Sequence, residues 1–171
     1  MKKINIIKER ERLQDRIDAG YDREYFAQFG EKYCVAENAM RYERLMACGY
    51  PAEQALTFDK YGWIVDHYPF KEGFRKESVA RTPEGEITLL TFQLPNGEWI
   101  AGNECHAQTL HWYSGPTIYG ETFTSEDYAR RAELKHIIKY IEDGWEDEPK
   151  VLLPQLKKAA SEALQLSLFG N

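Results

Sequence analysis

The chain of 171 residues is long enough for one domain with its own core, and 43% hydrophobic with 29% charged residues is an ordinary globular composition. A net charge of −6 argues against a broadly basic nucleic-acid binder, although a local basic patch stays open. Three widely spaced cysteines argue against a disulfide framework, and the sequence offers neither a signal-peptide core nor a membrane-length apolar run. We therefore expect a soluble, cytoplasmic protein with no membrane partner.

The N-terminal half has helical periodicity that is interrupted by glycine. Residues 5–19 predict a charged helix that Gly20 stops. A second helical region is expected from Asp22 to the neighbourhood of Gly49, which falls where a C-terminal cap belongs. Pro51 is placed to begin a further short helix.

The middle of the chain changes to β-favouring runs. Three antiparallel strands are predicted near residues 75–81, 86–93 and 98–103. Asn96 and Gly97 separate the last two runs, and both residues tolerate the positive φ of a two-residue type I′ turn. A loop rich in Gly and Pro is expected to follow the third strand.

Two helices are predicted in the C-terminal part. Thr124 and Asp127 are placed to start the first in the manner of a capping box, and it should run to Asp143. Its buried stripe should comprise Leu134, Ile137, Ile138 and Ile141. The second helix should begin near Lys150, with Pro154 in its first turn.

The expected fold class is therefore α+β, with a helical N-terminal half, a small three-stranded antiparallel meander and two C-terminal helices. Residues 1–163 are expected to form a single domain, since no low-complexity linker divides them. Residues 164–171 are expected to form a C-terminal tail.

The tail carries a short motif, Gln165, Leu166, Ser167, Leu168 and Phe169. It resembles the pentapeptide with which many bacterial replication and repair proteins bind the β sliding clamp. In that peptide a Gln leads, a Leu follows, a small or acidic residue is third and a Leu-Phe pair ends the motif. The resemblance covers these five residues and implies that Leu168 and Phe169 are hydrophobic anchors, that Gln165 orients the peptide and that Leu166 assists.

The residues of the tail allow more than one conformation. If the last helix continued, Leu164 and Leu168 would share one face, and Leu166 and Phe169 another, so that the end would be apolar nearly all round. In an extended segment, Leu166 and Leu168 would point away from Gln165 and could enter a partner's pockets. A third alternative is that the same apolar side chains fold back onto the domain's own core.

Metal-ligand residue types lie close together at Glu104, Cys105, His106 and His111. Their spacing matches no established ligand pattern, and residues near a strand end more often serve packing. Cys105 and His106 would point to opposite faces of a strand, which argues against a cysteine nucleophile with a histidine base. We expect neither a metal nor another cofactor.

Two stretches are candidates for nucleic-acid contact. The first interleaves rings with cations, as single-strand binding surfaces do, although such rings are more often core residues; its members are Trp63, Tyr68, Lys71, Arg75 and Lys76. The second is a basic line at four-residue spacing on the penultimate helix, formed by Arg131, Lys135 and Lys139. Either could contact single-stranded or duplex DNA, and either could be a solvated face.

Three functional hypotheses follow. The first is an accessory protein, from a plasmid or another mobile element or from the bacterium itself, that docks on the sliding clamp and acts at replicating or repaired DNA. The second is a non-enzymatic interaction domain whose tail packs on its own core. The third is a small hydrolase or nuclease built around Asp66, His67, Glu104 and His106. Enzyme activity has no motif in its support, and the first hypothesis is the one that the tail favours.

Overall fold

The structure is a computed structural model that describes residues 5–30, 35–65, 73–108, 110–144 and 148–169, with the backbone alone at Glu148 and at residues 164–169. The chain divides into two compact units. The helical unit comprises Met1–Tyr68, Leu94–Asn96 and Ile118–Glu121. The sheet unit comprises Pro69–Gln93, Gly97–Thr117 and Thr122–Asn171.

Four helices form the framework of the helical unit: α1 (Ile6–Asp18), α2 (Arg23–Ala27), α3 (Val35–Ala47) and α4 (Ala52–Ala55). Asn5 is the N-cap of α1, and its side chain accepts a hydrogen bond from the Lys8 N–H. The residue after Cys48, Gly49, has a φ of +89°, as expected of the glycine that follows a helix. A Cβ atom at Gly49 would lie 2.6 Å from the backbone nitrogen of Asn96, so this close approach also requires glycine.

Aromatic rings fill much of the interior of the helical unit. The Tyr25 ring meets the Phe26 and Phe29 rings edge-on, with centroids 5.2 and 5.0 Å away, and Phe29 lies 5.3 Å from Tyr42. Phe29 is fully buried. Further buried apolar residues are Leu13, Ala39, Met40, Leu45, Cys48, Ala55 and Ile64. These contacts tie α1, α2 and α3 to one core.

The sheet unit contains an antiparallel meander of four strands in the order β1-β2-β3-β4. The strands are β1 (Arg75–Thr82), β2 (Gly85–Gln93), β3 (Trp99–Ala107) and β4 (His111–Ser114). The α+β class is therefore confirmed, but the strand count of three was wrong. β3 continues to Ala107, and the four-residue β4 pairs with its second half through Asn103–Ser114 and His106–His111.

The hairpin between β2 and β3 is confirmed, but its two-residue type I′ turn is not. Gln93 pairs with Trp99, so five residues form the connection, and only Gly97 of the Asn-Gly pair has a positive φ, at +85°. Asn96 has another role: its backbone N–H donates to the Cys48 carbonyl and its side-chain amide to the Ala47 carbonyl, both at 3.0 Å. These bonds satisfy carbonyls at the end of α3.

Two helices cover one face of the sheet: α5 (Glu126–Asp143) and α6 (Leu153–Phe169), with a 3₁₀ helix at Glu148–Leu152 between them. Ser125, and not Thr124, is the N-cap of α5, and its hydroxyl accepts a hydrogen bond from the Tyr128 N–H. The predicted stripe is buried at Leu134, Ile137 and Ile141 and partly buried at Ile138. Pro154 lies in the first turn of α6, as expected.

The core of the sheet unit lies between this sheet face and the two helices. Alternate residues of β2 and β3 point into it, because side chains alternate along a strand. Its members from the sheet are Ala80, Ile87, Leu89, Cys105 and Ala107. Its members from α5, the 3₁₀ helix and α6 are Leu134, Ile137, Ile141, Leu152, Leu156 and Ala163. The sheet and α6 are also joined at the edge, where the Gln155 side chain exchanges two hydrogen bonds of 2.8 Å with the backbone of Arg81.

Candidate functional site

The clamp-binding-like motif forms the last part of α6. Its backbone, from Gln165 to Phe169, is helical, and its side chains lie outside the described part of the structure. Ala163, two residues before the motif, is buried in the core of the sheet unit. The motif therefore directly follows the segment by which α6 is anchored to the sheet.

The four metal-ligand residue types separate onto the two faces of β3 and β4. Cys105 is fully buried on the core side, whereas Glu104 and His106 point to the other side, with Glu104 Oε1 2.8 Å from His106 Nε2. The His106 and His111 rings are neighbours, with centroids 5.3 Å apart. Within the described residues no group of three or more His, Cys, Asp or Glu side chains has the geometry to hold a metal ion.

The proposed hydrolytic set is only partly described. Asp66 and His67 lie outside the described residues. Of the four proposed residues, the structure therefore shows the contact between Glu104 and His106. His106 is exposed, with 58% of its side chain accessible. A surface carboxylate–imidazole pair of this kind is ordinary and does not by itself define an active site.

The first nucleic-acid candidate stretch is divided between the two units. Trp63 belongs to the helical unit, where the Arg41 guanidinium lies 5.7 Å from its ring. Arg75 and Lys76 belong to β1, and Arg75 forms an ion pair of 2.7 Å with Glu126. Tyr68 and Lys71 lie outside the described residues. The described members of this stretch are thus not shown on one surface.

The second candidate stretch is brought together on one helix. Arg131, Lys135 and Lys139 lie on the solvent side of α5, with both lysines exposed and the arginine half-buried. The Arg131 guanidinium lies 4.5 Å from the centre of the Tyr128 ring, and its Nε donates to the Asp127 carbonyl at 3.1 Å. Cations and an aromatic ring therefore share this face of the helix.

A chain of polar side chains next to this face was missed by the sequence analysis. Asn103 is 3% exposed on β3; its Oδ1 accepts from Trp112 Nε1 and its Nδ2 donates to Glu133 Oε1, each at 2.5 Å. The Trp112 ring is thereby held beside the Tyr140 ring, with centroids 5.4 Å apart. The aromatic pair at Trp112 and Tyr113 is typical of a strand, and that signal could have revealed β4.

Tyr113 is the neighbour of Trp112 on β4 and faces the opposite side of the sheet. Its pKa is raised above the ordinary range, chiefly because partial burial disfavours the phenolate and also because the Glu104 carboxylate is near. Tyr113 is therefore a neutral hydroxyl at physiological pH, and it supplies hydrogen bonding rather than charge.

Comparisons with protein-family models, with curated proteins and with solved structures returned no match. Across the described residues, no helix combines the length and the apolar character that a membrane crossing requires. Functional inference therefore depends on the residues of the chain itself.

Proposed function

We propose that the protein docks on the bacterial β sliding clamp through Gln165–Phe169 and acts at replicating or repaired DNA. In this proposal the tail does no chemistry. It holds the rest of the chain close to the DNA on which the clamp is loaded, and so raises its local concentration there.

The observation that carries the proposal is the motif itself. All five positions match the clamp-binding pattern: a leading Gln165, an apolar Leu166, a small Ser167 and the pair Leu168 and Phe169. A partial match would carry little weight, because Leu and Ser are common residues. The fixed order of five side chains, with an aromatic residue last, is considerably more specific.

The position of the motif on α6 is compatible with this role. Gln155 and Leu156 hold the first half of the helix against β1 and the core, and Ala163 is the last residue whose burial is described. The final turn of any helix frays readily, because its last four carbonyls have no partner within the helix. We therefore expect residues 165–169 to leave the helical conformation when Leu168 and Phe169 enter pockets on the clamp.

Calorimetric titration of the full chain with a purified bacterial sliding clamp tests the proposal. We expect micromolar binding by the native chain and loss of at least tenfold in affinity for Leu168→Ala/Phe169→Ala, because buried apolar anchors dominate peptide recognition. A matched control is Ile7→Ala/Val151→Ala, which truncates two apolar side chains that are 62% and 47% exposed outside the motif. The control should bind like the native chain.

Competition with synthetic peptides provides a second readout. A peptide carrying the five residues 165–169 should displace the full chain, whereas a peptide with the same residues in scrambled order should not. The proposal would be contradicted if the native chain did not bind the clamp although its far-UV circular dichroism spectrum showed that it was folded. So would equal loss of binding in the motif variant and in the control.

A further inference from the structure

Two lysines, Lys135 and Lys139, lie one turn apart on the exposed side of α5. Lys135 and Lys139 are exposed, and within the described part of the chain neither forms an ion pair. Two exposed lysines of α6 are paired: Lys157 Nζ lies 2.6 Å from Glu142 Oε1, and Lys158 Nζ lies 3.8 Å from Glu162 Oε1. The two lysines therefore carry positive charge with no carboxylate at ion-pair distance among the described residues, in a chain whose net charge is −6.

Two exposed aromatic rings lie near the two ends of α5, about 120° apart around the helix. Tyr128 is 56% exposed and Tyr140 is 58% exposed, although large rings are usually at least half-buried. They are 12 residues apart, which is about 18 Å along a helix. We call the surface between them the α5 track, defined by Tyr128, Arg131, Lys135, His136, Lys139 and Tyr140.

Three hollows adjoin the α5 track in succession. The first, of about 510 Å³, is lined by Thr122, Tyr128, Arg131 and Lys135. The second, of about 240 Å³, lies between α5 and strands β3 and β4, with Trp112 and Tyr140 among its walls. The third, of about 620 Å³, is lined by His136, Lys139, Tyr140 and Pro149. A row of hollows along one helix fits an elongated ligand better than a compact one.

Thr122, one of the residues that line the first hollow, has a buried hydroxyl group. Thr122 is 6% exposed, and its Oγ1 is buried with no hydrogen-bond partner among the residues that the structure describes. Buried polar atoms nearly always have a partner. Thr122 shares the lining of this hollow with Arg131 and Lys135, but its hydroxyl oxygen is too deeply buried to meet a phosphate there.

The second hollow is rigid where it meets the track. Trp112 donates to Asn103, and Asn103 donates to Glu133, each at 2.5 Å. This chain of two hydrogen bonds fixes the orientation of the indole ring. Ordered rings are what a planar base requires of a stacking partner, since they need no reorganisation on binding. Among the carboxylates near the track, Glu142 is paired with Lys157 and Glu133 lies 3.7 Å from His136, whereas Asp143 lines the third hollow together with Lys139.

We propose that the α5 track binds single-stranded DNA, with bases stacking on Tyr128 and Tyr140 and phosphates meeting Arg131, Lys135 and Lys139. The track combines a line of cations with aromatic faces, which is the pattern of sequence-tolerant single-strand binding. Duplex DNA fits less well, because its base faces are already covered by their neighbours. None of residues 165–169 takes part, so the inference stands without the clamp-docking proposal.

Fluorescence anisotropy of a labelled 12-nucleotide DNA of mixed sequence, titrated with the full chain at low salt, tests the charge part. The variant Lys135→Ala/Lys139→Ala should bind at least tenfold more weakly. Its slope of log affinity against log salt should be shallower by about 1.4, since each phosphate contact to a single strand contributes about 0.7. The matched control Lys8→Ala/Lys60→Ala removes the same charge from exposed positions of the helical unit, leaves the Lys157–Glu142 pair intact, and should bind nearly like the native chain.

Ring variants test the stacking part. Tyr128→Ala and Tyr140→Ala should each weaken single-strand binding by about tenfold, with the salt slope unchanged, because stacking is lost and no phosphate contact is. The control Tyr21→Ala removes a ring that is 65% exposed in the helical unit and should have no effect. All variants change exposed side chains, and an unchanged melting temperature verifies that each is folded.

Several outcomes would overturn the proposal. They are no binding by the native chain at low salt, equal losses in the α5 lysine variant and its lysine control, full binding by both ring variants, or equal affinity for duplex DNA. Tighter binding of a 12-nucleotide RNA of the same sequence would overturn the assignment to DNA. The variant Leu168→Ala/Phe169→Ala should keep its DNA affinity, so that failure of clamp docking and failure of DNA binding are separately visible.

Discussion

The helical unit and the sheet unit position their chain segments by different means. In the sheet unit the ladders of β1–β4 and the turns of α5 and α6 satisfy the backbone, and the buried polar side chains Thr91 and Asn103 bond to other side chains. In the helical unit, irregular segments pass close to α3, and two polar side chains of α3 are almost fully buried: Asn38, at 0% exposure, and Arg44, at 5%.

These two side chains act as backbone partners. The Asn38 amide donates to the carbonyls of Phe29 and Gly62, at 2.9 and 2.8 Å, and its Oδ1 accepts from the Ile64 N–H at 2.9 Å. The Arg44 guanidinium donates to the carbonyls of Ile118 and Gly120. Each replaces the hydrogen bonds that regular secondary structure would supply, because a buried backbone group without a partner is strongly destabilising.

The same degree of burial therefore has different consequences in the two units. Removal of a polar anchor from the helical unit should leave several backbone groups unsatisfied, whatever the volume of the new side chain. Removal of a core side chain from the sheet unit should leave a cavity, and a side chain of similar volume should repair it. Single substitutions in each unit distinguish these two cases.

The largest effect is expected for Asn38→Leu, which keeps the branched shape of the side chain and removes its three hydrogen bonds. Each unsatisfied buried group destabilises by about 1–3 kcal/mol, so the free energy of unfolding should fall by about 4 kcal/mol. Urea unfolding followed by circular dichroism measures this. The control is Gln28→Leu, which removes an exposed amide that donates to the nearby Tyr25 carbonyl. It should change the free energy of unfolding by less than about 0.5 kcal/mol. A loss below about 1 kcal/mol for Asn38→Leu would show that these bonds do not hold the irregular segments at Phe29 and at Gly62–Ile64.

A somewhat smaller effect, about 3 kcal/mol, is expected for Leu134→Ala on α5. Leu134 is fully buried, and deletion of a buried leucine side chain removes apolar contacts and leaves a cavity. Leu134→Met should destabilise by less than about 1.5 kcal/mol, because it nearly conserves volume. The same unfolding experiment measures both. Equal losses for the Ala and Met variants would contradict the idea that volume governs this core.

Much of the fold could be predicted from the sequence where a single periodicity decides. The stripe of α5 has apolar residues at Leu134, Ile137 and Ile141, and that spacing alone places them on one face. β4 was missed because four residues are too few for a periodicity to be recognised. The role of Asn38 could not be predicted, since a polar residue within a helix is normally expected on the solvent side.

The candidate sites, too, could be predicted only where one periodicity within a single element decides. The four-residue spacing of Arg131, Lys135 and Lys139 was enough to predict a line of cations on one helix. The chain from Trp112 through Asn103 to Glu133 was not predictable, because its members come from three separate elements. It becomes visible only when the pairing of Asn103 with Ser114 and of Cys105 with Trp112 is known.

The smallest expected effect concerns Asp59, a surface carboxylate that organises the irregular segment beside Asn38. Its Oδ1 accepts hydrogen bonds from the backbone N–H groups of Trp63, at 3.0 Å, and Tyr61, at 2.8 Å. These bonds, that of Trp63 foremost, hold the pKa of Asp59 below its ordinary value of 3.8. A lowered pKa means that the ionised carboxylate stabilises the folded state above about pH 4, and that this contribution is lost as the pH falls through the folded-state value.

We therefore expect Asp59→Asn to lower the melting temperature slightly at pH 7 and to differ less from the native chain as the pH falls below about 4. The asparagine oxygen still accepts a hydrogen bond but carries no charge, so it has no stabilisation to lose in acid. Glu53→Gln, which removes one exposed negative charge from the same unit, is the control for the change in net charge alone. A difference between Asp59→Asn and the native chain that persists unchanged to pH 2 would mean that the carboxylate charge is not what orders this turn.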